Sequence, residues 1–206
     1  MTQFEEFYRQ HYQEEAFRRT YLKGRGHVYR SVVRILQRLG VRQVFDVGCS
    51  FGLLVERLNE LGFDARGADF PLPQLQEFHS RLSHSAGKFV YGNATQMQFS
   101  MQPEASAIVA LDSLRHLDDP GALGGQGAEY LLVKERGSRS WVARNRSPEE
   151  QVRHYSPSDL LDCFPAYDAW EIHATRFLLR VGHPGRACLR LFDRLPSYTA
   201  VLKRRR

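Results

Sequence analysis

Apolar positions in the first part of the chain recur at helical spacing. Phe4, Tyr8 and Tyr12 stand four apart, and Phe17 and Tyr21 follow at the same step, which puts them on one face of a helix over the first 26 residues. Two readings of that stripe stand side by side: a face laid on the domain, or a lid over a substrate pocket to which Tyr12 contributes. Lys23-Gly24-Arg25-Gly26 is expected to break this helix. A second helix is predicted from His27 to Leu39, with Val28, Val32, Ile35, Leu36 and Leu39 apolar and Arg30, Arg34 and Arg38 on a solvated face. From Val41 short apolar runs alternate with helical stretches. Strands are predicted over Gln43 to Val47, Asp64 to Asp69, Phe89 to Tyr91, Ala107 to Leu111, Tyr130 to Lys134 and Tyr198 to Lys203, with Trp170 to Val181 as one long strand or two short ones. Helices are predicted over Leu53 to Leu61 (ended by Gly62), Gln74 to Leu82, Ser158 to Phe164 after the Ser156-Pro157 turn, and Ala187 to Leu195. This alternation predicts a doubly wound α/β sandwich built on a mostly parallel sheet. Residues 1–39 are expected to add N-terminal helices on the substrate side of the same domain, whose body is residues 40–206.

Ligands of such sheets bind beyond the carboxyl ends of the strands, where the winding reverses. The turn after the first strand reads Asp46-Val47-Gly48-Cys49-Ser50-Phe51-Gly52. Glycines there permit a sharp bend and close approach of a ligand, and the next helix aims its unpaired N–H groups at the same spot. Neither G-x-G-x-x-G nor G-x-x-x-x-G-K-[ST] is present, and no lysine follows to grip a phosphate. Instead Asp46 ends the strand. A carboxylate aimed into the pocket repels phosphate and favours an ammonium group. Asp69, in Arg66-Gly67-Ala68-Asp69-Phe70, lies at about the spacing from Gly48 at which an acid accepts hydrogen bonds from ribose hydroxyls. Ribose with an amino-acid-like cation describes S-adenosylmethionine, whereas NAD would bring a pyrophosphate.

The 206 residues suffice for a full core without a disulfide or metal staple. With 42% hydrophobic and 25% charged residues the chain is neither disordered nor fibrous, and no apolar run reaches the length of a membrane span. The polar, acidic N-terminal stretch does not read as a secretory signal, so a cytoplasmic protein is expected. Cys49, Cys163 and Cys188 form no C-x-x-C pair, and the eight histidines form no close ligand pair, so no metal site is expected. A net charge of +6 raises the prospect of an acidic partner such as nucleic acid without establishing one.

The chain resembles the class I S-adenosylmethionine-dependent methyltransferases, closest to their small, single-domain branch that includes enzymes of metabolites and natural products. VFDVGCSFGLLVERLNELGFDARGADF is similar to that family's first motif, helix and second acidic strand; YGNATQMQF resembles the third-strand region, AIVALDSLRHLDDP the fourth-strand motif, GGQGAEYLLVKE the glycine-rich turn into strand five, and HYSPSDLLDCF the opening of the last covering helix. The likeness covers about residues 40 to 180. It implies a seven-stranded sheet in the order 3-2-1-4-5-7-6 with only the last strand antiparallel, and in-line displacement at the sulfonium methyl of S-adenosylmethionine. By resemblance, Asp46, Gly48, Ser50 and Gly52 would surround the methionine part, Asp69 the ribose, Asn93 and Ala94 the adenine, and Asp112 would lie along the methionine moiety, with Cys49 and Phe70 also among the cofactor-binding residues. Cys49 reads as a small buried hydrophobe beside the cofactor. His116, one turn beyond strand four, is a candidate general base or a structural histidine. His154 and Tyr155 either reach the acceptor from one side or belong to a surface loop.

The sequence departs from the family at three places. Serine stands at position 50 where glycine is usual, and Asn93 replaces an acid. The stretch from Asp118 to Ala128 is too glycine-rich and short for the usual helix between strands four and five. Either the crossover is pared to a turn and a loop, or strand five is displaced. Cys163 and Cys188 read as core. The tail Lys203-Arg204-Arg205-Arg206 reads as a frayed solvated terminus, and Arg136, Arg139, Arg144 and Arg146 cluster after strand five. Strand four lacks an N-P-P-Y-like motif and there is no proline-cysteine nucleophile, so a small-molecule acceptor at oxygen or nitrogen is favoured. Methylation of RNA or protein through a basic surface, and a non-catalytic cofactor-binding scaffold, are the alternatives.

Overall fold

The first helix, α1 (Glu15–Arg38), runs on through Gly24 and Gly26, where a break is expected from the sequence. Each glycine costs a helix about 1 kcal/mol. Burial of Val28, Val32, Val33, Ile35 and Leu36 on the same helix outweighs that cost. Arg30, Arg34 and Arg38 lie on the exposed side, as expected. The computed structural model describes residues 15–136, 155–174, 179–184, 188–189, 192–193 and 197–205. The predicted helix over residues 1–14, with Tyr12, lies outside them. So do His154, Arg139, Arg144 and Arg146, and most of the predicted 187–195 helix, of which residues 188–189 and 192 are helical.

The chain divides into two compact units, with the boundary between Asn93 and Ala94. In the first, α1 is followed by β1 (Gln43–Val47), α2 (Leu53–Glu60), β2 (Asp64–Asp69), α3 (Pro73–His79) and β3 (Phe89–Tyr91). Its strands run in the order 3-2-1, all parallel, with Val44 opposite Ala65 and Ala68 opposite Val90. Gly62, at φ +86, closes α2 by donating to the Asn59 carbonyl while Phe63 N–H reaches Leu58.

The second unit contains β4 (Ser106–Leu111), 3₁₀ turns at Leu114–His116 and Pro120–Gln126, β5 (Tyr130–Arg136), α4 (Pro157–Cys163), β6 (Tyr167–Ala174), β7 (Leu179–Gly182) and β8 (Ser197–Arg204). Its strands run 4-5-8-6-7. The Trp170 to Val181 region is therefore two strands, and the expected order gains an edge strand, β7. Antiparallel pairing is not confined to the last strand: β8 is antiparallel to β5 and β6, and β7 to β6. Strand five is not displaced, because Ala107 pairs with Tyr130 and Leu111 with Lys134 in a parallel ladder. The crossover that looked too short is built from the two 3₁₀ segments, which advance about 2 Å per residue against 1.5 Å for an α-helix.

Two further expectations change. Ser156 caps α4 in a capping box with Asp159, which anchors the chain just after Tyr155. Tyr155 is buried, and its carbonyl accepts a 2.7 Å bond from the Tyr198 hydroxyl, so it is no surface-loop residue. Over residues 203–205 the basic tail is not frayed, although Arg204 and Arg205 are exposed. Lys203 and Arg204 belong to β8, Arg205 N–H donates to the Ala166 carbonyl, and its guanidinium pairs with Asp168 at 2.9 Å. Cys163 and Cys188 are half-buried where core was expected.

Candidate functional site

In the first unit, β1 ends in a loop tied to the neighbouring strand. Gly48 and Cys49 N–H both donate to the Ala68 carbonyl, at 2.9 and 3.1 Å. Gly48, Ser50 and Gly52 then take left-handed backbone at φ 73, 52 and 68, alternating with residues of ordinary handedness. Such alternation turns successive N–H groups toward one side. Ser50 therefore adopts the conformation that glycine takes without strain, at a cost of about 1 kcal/mol. Position 52 demands glycine twice over. Its φ is positive, and a Cβ there would stand 2.6 Å from the Phe89 ring. At Gly67 of β2 a Cβ would meet the Cys49 sulfur at 2.7 Å, so the thiol fills the space the missing side chain leaves. Cys49 is buried, and burial beside Asp69 and Asp46 pushes its thiol well above its usual range, away from nucleophile chemistry.

The two carboxylates flank this loop. Asp46 is 3% exposed, and burial, reinforced by the like charge of Asp69, raises its carboxyl to about 7 although Arg25 on α1 pulls the other way. Asp69 keeps part of its surface open. Its Oδ2 accepts the Ser50 N–H at 2.6 Å and its Oδ1 the Phe70 N–H at 2.8 Å. Those bonds favour the ionised form, yet burial outweighs them and raises the group to about 6. Each Asp69 oxygen still has a lone pair to offer.

Behind the loop stands a set of residues that sequence reasoning missed. His79, at the end of α3 and 3% exposed, lies 2.7 Å through Nε2 from the Ser50 carbonyl and 2.9 Å through Nδ1 from the Tyr91 hydroxyl. Its ring stacks on Phe89 with centroids 3.8 Å apart. These partners lie 12 and 29 positions from His79 in sequence, so no local pattern announces them.

In the second unit, Asp112 follows β4 with φ +61, and its N–H donates to the Lys134 carbonyl. Its carboxylate meets Lys134 Nζ at 2.9 Å and the Arg115 guanidinium at 3.1 Å. Glu135 extends the network: Oε1 accepts the Leu114 N–H at 3.1 Å and Oε2 lies 3.3 Å from Arg115. Burial raises Glu135 to about 7, while Arg115 opposes the rise. Asp112 is thus already neutralised by this chain's own cations. His116 closes the 3₁₀ turn that Glu135 anchors and is half-buried. A charged pair ending the apolar run Leu131-Leu132-Val133 was the readable sign of this network. Ala94 is buried and Asn93 half-buried. Among the described residues no cluster of histidine, cysteine or carboxylate side chains is suited to a metal ion. No described helix is long and apolar enough to cross a membrane.

The fold is shared with solved S-adenosylmethionine-dependent methyltransferases. A TehB-like S-adenosylmethionine-dependent methyltransferase from Corynebacterium glutamicum superposes with a TM-score of 0.61 at 16% identity, covering 95% of this chain and 99% of that one. Magnesium protoporphyrin IX methyltransferase from Synechocystis, with bound S-adenosylmethionine, gives 0.57 at 15% identity over 87% of this chain and 79% of that one. In sequence, the ubiquinone biosynthesis O-methyltransferase of Alkalilimnicola ehrlichii is 29% identical over 123 residues, which is 59% of this chain and 49% of that protein. The chain spans about half the length of the curated relatives it matches. No family model matches it.

Proposed function

We propose that this protein transfers a methyl group from S-adenosylmethionine to a small acceptor, with oxygen the first choice of acceptor atom and nitrogen the second. The carrying observation is the Gly48-Ser50-Gly52 loop flanked by two carboxylates, buried Asp46 and half-buried Asp69, which desolvation holds above the ordinary carboxylate range and which a ligand's cation would stabilise in their ionised form. A cofactor with an ammonium and a sulfonium charge supplies that cation, and a ribose diol suits the open lone pairs of Asp69. A pyrophosphate would face two acids instead. The names of the curated relatives support oxygen as acceptor.

In this reading Asp46, Gly48, Cys49, Ser50 and Gly52 hold the methionine part, Asp69 and Phe70 the ribose side, and Asn93 and Ala94 the adenine. When bound, the cofactor supplies an electrophilic methyl on a good, neutral leaving group. The chain's task is then to hold the acceptor in line, and positioning of this kind lowers a barrier by about 7–11 kcal/mol at best. His116 would take the acceptor's proton where one must be lost. Asp112, bound by Lys134 and Arg115, would steady the turn that carries His116 more than it would bind a cation. Tyr12, His154 and Tyr155 stay as substrate-side candidates.

Calorimetry with S-adenosylhomocysteine tests this. Asp69→Ala is expected to weaken binding by about 10- to 100-fold, the loss of hydrogen bonds to a charged group. Equal affinity in wild type and variant would remove the ribose assignment.

A further inference from the structure

We infer that His79 is a positioning residue: it holds the Gly48–Gly52 loop in its ligand-receiving shape by donating to the Ser50 carbonyl, and Tyr91 selects the tautomer that lets it donate. This deepens the cofactor reading above and rests on it. A carbonyl oxygen only accepts, so the 2.7 Å contact requires the proton on Nε2. In a neutral ring Nδ1 is then an acceptor, and the Tyr91 hydroxyl at 2.9 Å donates to it. The ring is driven toward neutrality by burial, which lowers its pKa. Tyr91 is the titratable group that faces it, itself raised by burial and by Cys49 and Asp69.

The geometry gives this pair leverage over the loop. Ser50 sits in a strained left-handed conformation, and its two peptide groups are held from opposite sides: its N–H by Asp69 at the end of β2, its carbonyl by His79 at the end of α3. The His79–Phe89 stack also forms the floor beneath Gly52, since a Cβ there would meet Phe89 at 2.6 Å and His79 at 3.0 Å. Releasing the Ser50 carbonyl frees the peptide to rotate away from the strained form. The Ser50 N–H then turns from Asp69, and Asp69 loses the bond that aims it.

The experiment measures S-adenosylhomocysteine affinity by calorimetry in His79→Leu, His79→Gln and Tyr91→Phe, with thermal unfolding alongside. His79→Leu keeps the apolar bulk and loses the donor; binding is expected to weaken about tenfold or more. His79→Gln places an amide N–H near Nε2 and is expected to recover binding to within about threefold of wild type. Tyr91→Phe is expected to cost about threefold, and its ring-nitrogen resonances to show Nδ1 of His79 sharing the proton that wild type confines to Nε2. A merely structural histidine would give two variants whose affinities follow their stabilities, with no rescue by glutamine. Wild-type affinity in His79→Leu, or loss in His79→Gln as great as in His79→Leu, overturns the positioning role alone. If His79→Leu does not fold, unchanged affinity in Tyr91→Phe or lost affinity in His79→Gln overturns it. Wild-type protein that fails to bind the ligand overturns the cofactor reading and this role with it.

Discussion

Asp46 and Asp112 stand at equivalent places, each at the carboxyl end of a parallel strand, and the structure treats them in opposite ways. Asp112 has Lys134 and Arg115 within 3.1 Å, so its charge is balanced inside the protein. Asp46 has no cation that close among its described contacts; Asp69 repels it and only the field of Arg25 helps, so its carboxyl rises to about 7. A buried acid with its own counter-ion is a piece of framework. A buried acid without one is costly until a cation arrives, which marks the place where a ligand has the most to contribute.

Removing a counter-ion from the balanced site should give the largest effect. Lys134→Met leaves Asp112 in a buried setting with Arg115 alone, and breaking such a pair from one side costs about 3–5 kcal/mol. Denaturant unfolding is expected to register that loss. A change below about 1 kcal/mol would mean that Asp112 is not buried with a working ion pair, and the contrast with Asp46 would lapse.

The unbalanced site should show itself in the pH dependence of stability. Asp46 at about 7 and Asp69 at about 6 are raised above the ordinary carboxylate value, as is Glu135 at about 7. A raised folded-state pKa means the folded form binds the proton more tightly, so its stabilising contribution is complete below about pH 4 and is lost as pH rises through 6 to 7. His79, whose pKa is lowered, acts the other way across the same range. Three groups against one give a net fall, of about 2 kcal/mol or more, between pH 5 and pH 8 in the unliganded protein. Glu56, held down to about 2 mainly by bonds from His84, Ser85 and Ser83 that overcome its burial, acts only below pH 4.5. In Asp46→Asn the fall in melting temperature from pH 5 to 8 should shrink. A wild-type melting temperature that climbs over this range would remove the claim that the acids lack a cation. For the same reason affinity for S-adenosylmethionine should rise from pH 6 to pH 8, because the cation binds the ionised acid.

How far the sequence reached depends on whether the information was local. β1, β2 and β3 have the predicted limits: β1 and β3 are short runs with apolar residues between turn residues, β2 (Asp-Ala-Arg-Gly-Ala-Asp) follows the helix stop at Gly62, and the loop and its two acids are contiguous with β1 and β2. α1 crosses Gly24 and Gly26 because burial farther along the helix decides, which local propensity cannot register. His79 and Tyr91 escaped notice for a related reason: they converge on Ser50 from separate elements, and only the register of β2 with β3 brings them there. Arg204 and Arg205 are exposed, as composition suggests, yet they are also paired, which composition does not show. Their pairing partners, Asp168 and the Gly127 carbonyl, lie 37 and 77 residues away.

The smallest effect is expected at Ser50, and it probes the loop's shape more directly than removing a charge does. Replacing a residue with glycine ordinarily destabilises a fold by about 0.5–1 kcal/mol, because the unfolded chain gains freedom. At φ 52 the sign changes, since the native conformation strains a side chain and relief is worth about 1–2 kcal/mol. The bonds to Asp69 and His79 use the Ser50 backbone, so glycine keeps those two contacts. Ser50→Gly should therefore be neutral or up to about 1 kcal/mol more stable, with S-adenosylhomocysteine affinity within about threefold of wild type. Should it lose 1 kcal/mol or more, the serine hydroxyl is contributing a bond of its own at the buried end of the loop, and the backbone account of this site gives way to one in which that hydroxyl recognises the ligand.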